Sequence, residues 1–600
     1  MLRTHDYVTL HVDGIRYLEK PPLPYWLAAF NLRLFAPDAS LLSTRGAFAI
    51  HLPVALTVLA LALLGYLWAL QAFEERTAFL TALFTLTATG IFLFTRVFIP
   101  DAILSFFLAL CLYLLLRALE TGRPLYAYAM WSSLAFAVLT KGLVSLVFFF
   151  GTALVFLYLT KELPNLRRLR PFTGLLLFLL IATPWHILAG LRNKGGMGGH
   201  GFFWFYFVNE HYLRFLGRRE PRDFNKVPPA LYWLLHLVWL FPWSLFAPAA
   251  IFAGLRKRRE ILSQRDHNAQ GEPLSRLEMI QQTRNRREAP LAPTFAGRTV
   301  LILGLFSVFV LVFFSLSTNQ EYYTFPIYLP LLLLTAAALS RPATPAVQRG
   351  LAFAYLALTV LGLLIAVALG YGLYTSRHLP YVSDIGSLLA HRGVGGYTLS
   401  MSSFFDLTGP SFAALRLPAS LSAIAFATGP SLAWWLHARQ KPRAALFAVA
   451  ATSAAFLLAA HIALVRFAPL LSSQDFAAII LKLEAAHNIE PDTVVLLYSD
   501  QAYGSSIPFY LDRQVSLVDG RTTSMLFGST FPDAPKLFLT HQELAAQWGT
   551  GPRKILFVPI EQRETVDRLL GPGKVLLAET SGKALFTDRP LNNAGLGWKR

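Results

Sequence analysis

Twelve long apolar stretches, none containing Asp, Glu, Lys or Arg, constrain this chain more than any other feature. They lie near Ala47–Leu70, Thr77–Phe94, Ala102–Leu116, Leu125–Thr140, Gly142–Thr160, Phe172–Gly190, Leu231–Leu255, Thr299–Leu316, Thr324–Ser340, Leu351–Tyr374, Leu417–His437 and Ala444–Val465. A helix needs roughly 20 mostly apolar residues to cross the hydrocarbon core of a bilayer, so each stretch reads as a transmembrane helix. Leu125–Thr140 is the weakest, being short and holding Ser132 and Ser133. Pro418 and Pro430 are tolerable where neighbouring helices satisfy the freed backbone.

Composition agrees. Of 600 residues, 55% are hydrophobic and only 14% charged, against about 25% charged in a soluble domain. The single cysteine, Cys111, lies inside an apolar run, which excludes a disulfide within the chain and argues against a cysteine-based metal site. The net charge of +19 is not a nucleic-acid signature, because much of it sits in short loops between apolar runs.

Alternate loops divide by charge. Glu74–Arg76, Arg117–Arg123, Lys161–Arg170, Arg256–Arg298, Arg341–Arg349 and Arg439–Arg443 form one set, with ten Lys/Arg in Arg256–Arg298 alone. The positive-inside rule makes this set cytoplasmic. The opposite set is then external: the N-terminus to Arg45, Thr95–Asp101, Lys141, Leu191–Ala230, Ser317–Tyr323, Thr375–Arg416 and everything after Val465. Leu191–Ala230 breaks the rule, carrying Arg192, Lys194, Arg214, Arg218, Arg219, Arg222 and Lys226. An anionic ligand held at the outer surface would account for it; chance variation in a statistical rule is the other account.

Three segments follow: 1–46 as an external juxtamembrane segment, 47–465 as the transmembrane domain, and 466–600 as an external soluble domain. In the last, Phe476, Ile479, Ile480 and Leu483 have helical spacing. Short β-type runs follow at Thr493–Tyr498, Val515–Val518, Ile555–Val558, Val575–Leu577 and Ala584–Phe586. This predicts a small α/β domain, without a phosphate loop or nucleophile motif, and it reads as accessory.

With no ionised residue inside the spans, proton- or ion-coupled transport loses its usual machinery. The unusual polar residues gather instead at the external helix ends. They are Tyr17–Trp26 with Glu19-Lys20-Pro21-Pro22, Arg96 with Asp101, Thr140-Lys141-Gly142, the aromatic run from Phe202 ending in Glu210-His211 and Arg214, and Ser317–Tyr323. Each alone has an ordinary explanation: a solvated ion pair, an N-cap Asp, a snorkelling Lys, a hydrogen-bonded His, an interfacial hairpin. Five on one membrane face is a stronger pattern, and suits a catalyst acting on an amphiphile.

In this order, the motifs resemble the GT-C glycosyltransferases, within them the aminoarabinose transferase and protein O-mannosyltransferase group. The resemblance runs from Met1 to about Ser340. It implies a polytopic α-helical membrane protein of GT-C type with a small C-terminal α/β soluble domain, in the inner cell membrane with that domain periplasmic. It implies an undecaprenyl- or dolichyl-phosphate-linked sugar donor and a lipid, glycan or protein acceptor, with no nucleic acid. Carried over, Glu19 and His211 would bind a divalent metal such as zinc. Lys20, Lys141 and Arg214, with Arg96, Tyr322 and Tyr323, would hold the carrier phosphate, and Asp101 would be a catalytic acid. Cations suit a departing phosphate, and a carboxylate suits the proton of an acceptor hydroxyl.

The family pattern begins with a membrane helix ending in an Asp-Glu pair. Met1–Tyr7 resembles the segment just after that pair, and Asp6 and Asp13 do not match it. The expectation is therefore a further helix upstream of Met1 in the coding region, and little activity without it. The alternatives are a flippase or transporter for an anionic lipid and an inactive paralogue.

Overall fold

The computed structural model describes residues 1–37, 43–222, 227–253, 292–341, 344–389, 407–499, 501 and 504–592. Most of the basic loop Arg256–Arg298, and Lys226, lie outside the described residues.

Apolar stretches become helices because a chain in lipid must satisfy its own backbone. Among the described residues, seven helices are long and apolar enough to cross a membrane: Thr44–Ala72, Asp101–Thr121, Pro171–Arg192, Phe295–Leu316, Glu321–Leu339, Pro345–Thr375 and Pro442–Leu471. Pro124–Lys141, Val144–Leu159 and Arg416–Ala438 are helices too, but shorter or less apolar. The chain is a multi-span membrane protein. Phe172, Phe353 and Val367 face outward, while Asp101–Thr121 is largely enclosed by its neighbours.

Two expected straight spans are broken. Leu231–Leu255 forms Pro229–Trp239 and Trp243–Ala253, bent by 102°, because Pro242 lacks the N–H that would carry a helix through. Thr77–Phe94 divides at Ala88 into Glu75–Thr87 and Thr89–Phe94. The breaks satisfy each other: the Phe241 carbonyl accepts from the Thr89 N–H at 3.0 Å and from its hydroxyl at 3.1 Å.

The C-terminal domain is built on a six-stranded sheet: β3 (Val494–Tyr498), β4 (Ser516–Val518), β5 (Phe538–Leu539), β6 (Lys554–Pro559), β7 (Val575–Thr580) and β8 (Lys583–Thr587), in the order β5-β4-β3-β6-β8-β7. β3 to β6 pair parallel, and β8 and β7 close one edge antiparallel. β6 is buried along its whole length, as a strand covered on both faces should be.

The N-terminal segment is not simply juxtamembrane. β1 (Leu10–Val12) and β2 (Ile15–Tyr17) form a hairpin turned by Asp13 and Gly14 at φ of 56° and 81°, the two left-handed residues of a type I′ turn. The hairpin docks on the C-terminal domain. Ile15 joins the core of Val515, Leu517 and Met525, the Val515 N–H donates to Asp13 Oδ1 at 3.0 Å, and Arg16 pairs with Asp533 at 2.7 Å.

Candidate active site

β2 delivers the chain directly to Glu19 and Lys20, after which Pro21-Pro22 leads into the helix Leu23–Phe35. Glu19 is buried, so the expectation of a solvated pair with Lys20 gives way. Its Oε1 accepts from Nη2 of Arg219 at 2.5 Å, while Lys20 Nζ stands 4.0 Å from Oε2. Arg219 is itself buried, and its Nε donates to Oε1 of Glu210. The other oxygen of Glu210 accepts from Arg214 at 2.8 Å. Two carboxylates and three cations thus form one chain of charge-assisted hydrogen bonds and close ion pairs. Burial pushes the Glu210 carboxyl up, but Lys20, Arg214 and Arg219 outweigh it and hold it below its ordinary range.

Lys141 ends the helix Pro124–Lys141 and turns inward rather than snorkelling. Its Nζ donates to Oδ1 of Asp101 at 2.5 Å and sits 4.3 Å from the centre of the Tyr323 ring. Asp101 is 1% exposed and caps no helix with its side chain. It does not line the cavity described below, and its carboxylate holds the Lys141 ammonium in place.

His211 lies on the π-helix Trp204–Leu213. Its Nδ1 donates to the Tyr206 carbonyl at 2.5 Å, so Nε2 is the acceptor for the Leu143 N–H at 3.0 Å. Gly142 makes this possible. Its φ is +87°, and a Cβ there would collide with His211 Nε2 and stand 2.7 Å from the Tyr206 hydroxyl. The Thr140-Lys141-Gly142 motif therefore supplies both a cation and the gap that seats an imidazole.

These bonds bear on the metal expectation. A metal-binding imidazole needs a free ring lone pair, and that of His211 is taken by the Leu143 N–H. One oxygen of Glu19 is held by Arg219 and the other faces Lys20. Among the described residues, no three His, Cys, Asp or Glu side chains gather as a metal site. In this arrangement Glu19 and His211 are each engaged by a protein donor.

A cavity of about 480 Å³ opens beside the cluster. Glu19, Lys20, Lys141, Glu210, His211 and Arg214 line one part, with Ser317 and Thr318. Leu143, Val144, Val147, Phe148, Phe207, Phe215, Phe313 and Phe314 make up much of the remaining lining. Such a cavity accepts an amphiphile with an anionic head and a hydrocarbon tail.

Of the predicted residues, Glu19, Lys20, Lys141, His211, Arg214 and Tyr323 meet at this cavity. Tyr322 stands behind it, 5.9 Å from Lys141 and tilted against Phe94. Arg96 stacks on Phe92 at 4.2 Å and does not line the cavity. Sequence reasoning missed Arg219 and Glu210 as members of the site. Glu210 stood beside His211 in the motif, but nothing separated Arg219 from Arg218 or Arg222.

Comparison with known proteins gives a consistent picture. Residues 19–188 match the dolichyl-phosphate-mannose-protein mannosyltransferase family. An undecaprenyl phosphate-α-4-amino-4-deoxy-L-arabinose arabinosyl transferase of Aeromonas hydrophila is 27% identical over 264 residues, 43% of this chain and 45% of the relative. A homologue in Pseudomonas fluorescens is 27% identical over 379 residues, 62% of this chain and 59% of that one. An uncharacterized Aquifex aeolicus protein is 28% identical, over 40% of this chain and 50% of its own. The matches thus span about half the length of the first of these curated relatives. Among solved structures, ArnT from Cupriavidus metallidurans bound to undecaprenyl phosphate superposes with a TM-score of 0.70 at 19% identity, covering 100% of this chain and 93% of that one. These findings bear out the resemblance to the GT-C aminoarabinose transferase group, and the fold is the one solved for ArnT.

Proposed function

From the GT-C fold as premise, we propose that this chain is a glycosyltransferase that takes a sugar from a polyprenyl-phosphate carrier and passes it to an acceptor at the external, periplasmic face. The observation that carries this reading is the cavity, which is lined by Lys20, Lys141 and Arg214 together with Phe148, Phe313 and Phe314. The carrier is undecaprenyl phosphate, the lipid used by the Aeromonas hydrophila relative and bound in the ArnT structure. The acceptor is a lipid, a glycan or a protein side chain.

In the reaction, the bond from the anomeric carbon to the phosphate oxygen breaks as the acceptor oxygen bonds to that carbon, and the proton of the acceptor hydroxyl ends on the departing phosphate. Negative charge grows on the departing phosphate. Lys20, Lys141 and Arg214 stand where that charge develops, and fixed cations in a water-poor site stabilise a transition state more than the ground state. Asp101 aims Lys141, Glu210 aims Arg214, and Arg219 ties Glu210 to Glu19. The apolar lining holds the first isoprene units and keeps water from the reacting carbon.

The transport alternative finds no support in these comparisons. The test is transfer of labelled sugar from a polyprenyl-phosphate donor to lipid and peptide acceptors, by the purified chain in proteoliposomes. Transfer that falls at least tenfold in Lys141→Met supports the proposal. Absence of transfer by the wild type, with labelled lipid crossing the bilayer unaided, would support the flippase. Absence of both leaves the inactive paralogue.

A further inference from the structure

The C-terminal domain reads from sequence as accessory, yet it reaches into the site from two directions. One is the hairpin β1–β2, which is seated in the domain by Ile15 and runs, through Tyr17 and Leu18, straight to Glu19. The fit is close: a Cβ on Gly528 would overlap the Arg16 carbonyl, so helix Thr523–Ser529 lies against β2 with no side chain between them. Arg16 also lies 4.3 Å over Phe531. The other direction is an aromatic contact. Phe527, on that short helix, stacks on Phe205 of the π-helix with ring centres 3.9 Å apart and planes 20° apart.

Both contacts end in one buried cluster. Leu18, Phe205, Tyr206, Phe527 and Phe531 belong to the same apolar core, with Trp185 of the helix Pro171–Arg192. Leu18 precedes Glu19, and Tyr206 supplies the carbonyl that fixes His211. Glu19 and Glu210 both accept hydrogen bonds from Arg219. A π-helix is a strained arrangement that persists where its surroundings hold it, and here Phe527 packs on its first turn.

We infer that the C-terminal domain holds the charged end of the cavity in register, with Phe527 as a positioning residue acting through Phe205 on the π-helix that carries Glu210 and His211. The consequence for turnover rests on the proposed transferase reading; the packing relationship does not.

The test compares wild type, Phe527→Ala, Phe527→Leu and Phe527→Tyr as full chains in nanodiscs, by hydrogen–deuterium exchange and by sugar transfer. In Phe527→Ala, amide exchange in 204–214 should rise about tenfold while β3 and β6 stay protected, and the donor KM should rise several-fold. Phe527→Tyr, which keeps the ring, should restore both. If the Ala variant fails to fold, Phe527→Leu, which keeps apolar bulk without the ring, decides by the same readouts. Unchanged exchange in 204–214 would overturn the inference. So would equal loss of protection in β3 and β6, which marks Phe527 as part of the domain's own core only. Should the wild type transfer no sugar, the proposed function fails, and the exchange result still decides this relationship.

Discussion

Arg219 and Glu19 stand 200 residues apart in the chain and 2.5 Å apart in the fold. The guanidinium is fully enclosed and also holds Glu210, so it ties the N-terminal motif to the π-helix. Breaking a buried pair by removing one partner costs about 3–5 kcal/mol, because the charge left behind is uncompensated. Arg219→Met leaves the buried Glu19 with Lys20 at 4.0 Å, while Glu210 keeps Arg214. We expect thermal unfolding to show a loss of this size, with Arg219→Lys recovering only part, since an ammonium lacks the planar fork. A change below about 0.5 kcal/mol, the scale of an ordinary surface substitution, would contradict the account.

Lys141 and Asp101 make a second pair, and it separates contact from positioning. Lys141→Met should lower kcat/KM for the donor by about 30-fold or more, the scale of losing a desolvated charge contact. Asp101→Asn leaves Lys141 charged but no longer aimed, so its loss should be smaller and should appear mainly in the donor KM. Steady-state kinetics with varied donor checks both. An Asp101→Asn loss larger than that of Lys141→Met would assign Asp101 a direct chemical role.

Gly142 gives a prediction with an internal control. Gly142→Ala forces a side chain into a left-handed φ and against His211 and Tyr206. Gly122 has a φ of +67° with open space around it, and Ala there should cost only about 1 kcal/mol. We expect Gly142→Ala to lose most transfer activity and Gly122→Ala to keep it. Equal activities would mean that the seat of His211 does not matter.

The hairpin carries a pH dependence of defined sign. Burial pushes the Asp13 carboxyl up to about 6, against the opposing pull of the Val515 N–H. A raised acid binds its proton more tightly folded than unfolded. Its contribution is therefore full below the unfolded value near pH 4 and is lost as pH rises through about 6. Asp13→Asn keeps the bond from Val515 and tolerates the turn, so it should raise the thermal midpoint at pH 7 and leave that at pH 4 nearly unchanged. A lower midpoint at pH 7 would contradict the assignment.

Much of the site was legible because its residues travel in short motifs. Glu19-Lys20, Thr140-Lys141-Gly142 and Glu210-His211 with Arg214 converge as their shared membrane face implied. What sequence could not show is which member of a charged group is buried. Arg219 looks like Arg218 and Arg222, and only the fold brings Glu19 to it. Asp101 read as an acid at a helix mouth, but its partner lies 40 positions on. The break at Ala88 has no signal in Thr87-Ala88-Thr89, since it depends on a carbonyl freed at Pro242. The hairpin did have one: Asp13-Gly14 between alternating residues is a type I′ turn signature. β5, two residues long, is too short to show alternation.

The most direct test of the central claim is the affinity of the purified chain for polyprenyl phosphate against the uncharged polyprenol of equal length, measured for wild type and for the double variant Lys141→Met with Arg214→Met. The account predicts that wild type prefers the phosphate by at least about tenfold, a difference of 1.4 kcal/mol, and that the double variant loses the preference while still binding polyprenol. Equal wild-type affinity for the two lipids, or a phosphate preference that survives both substitutions, would contradict it.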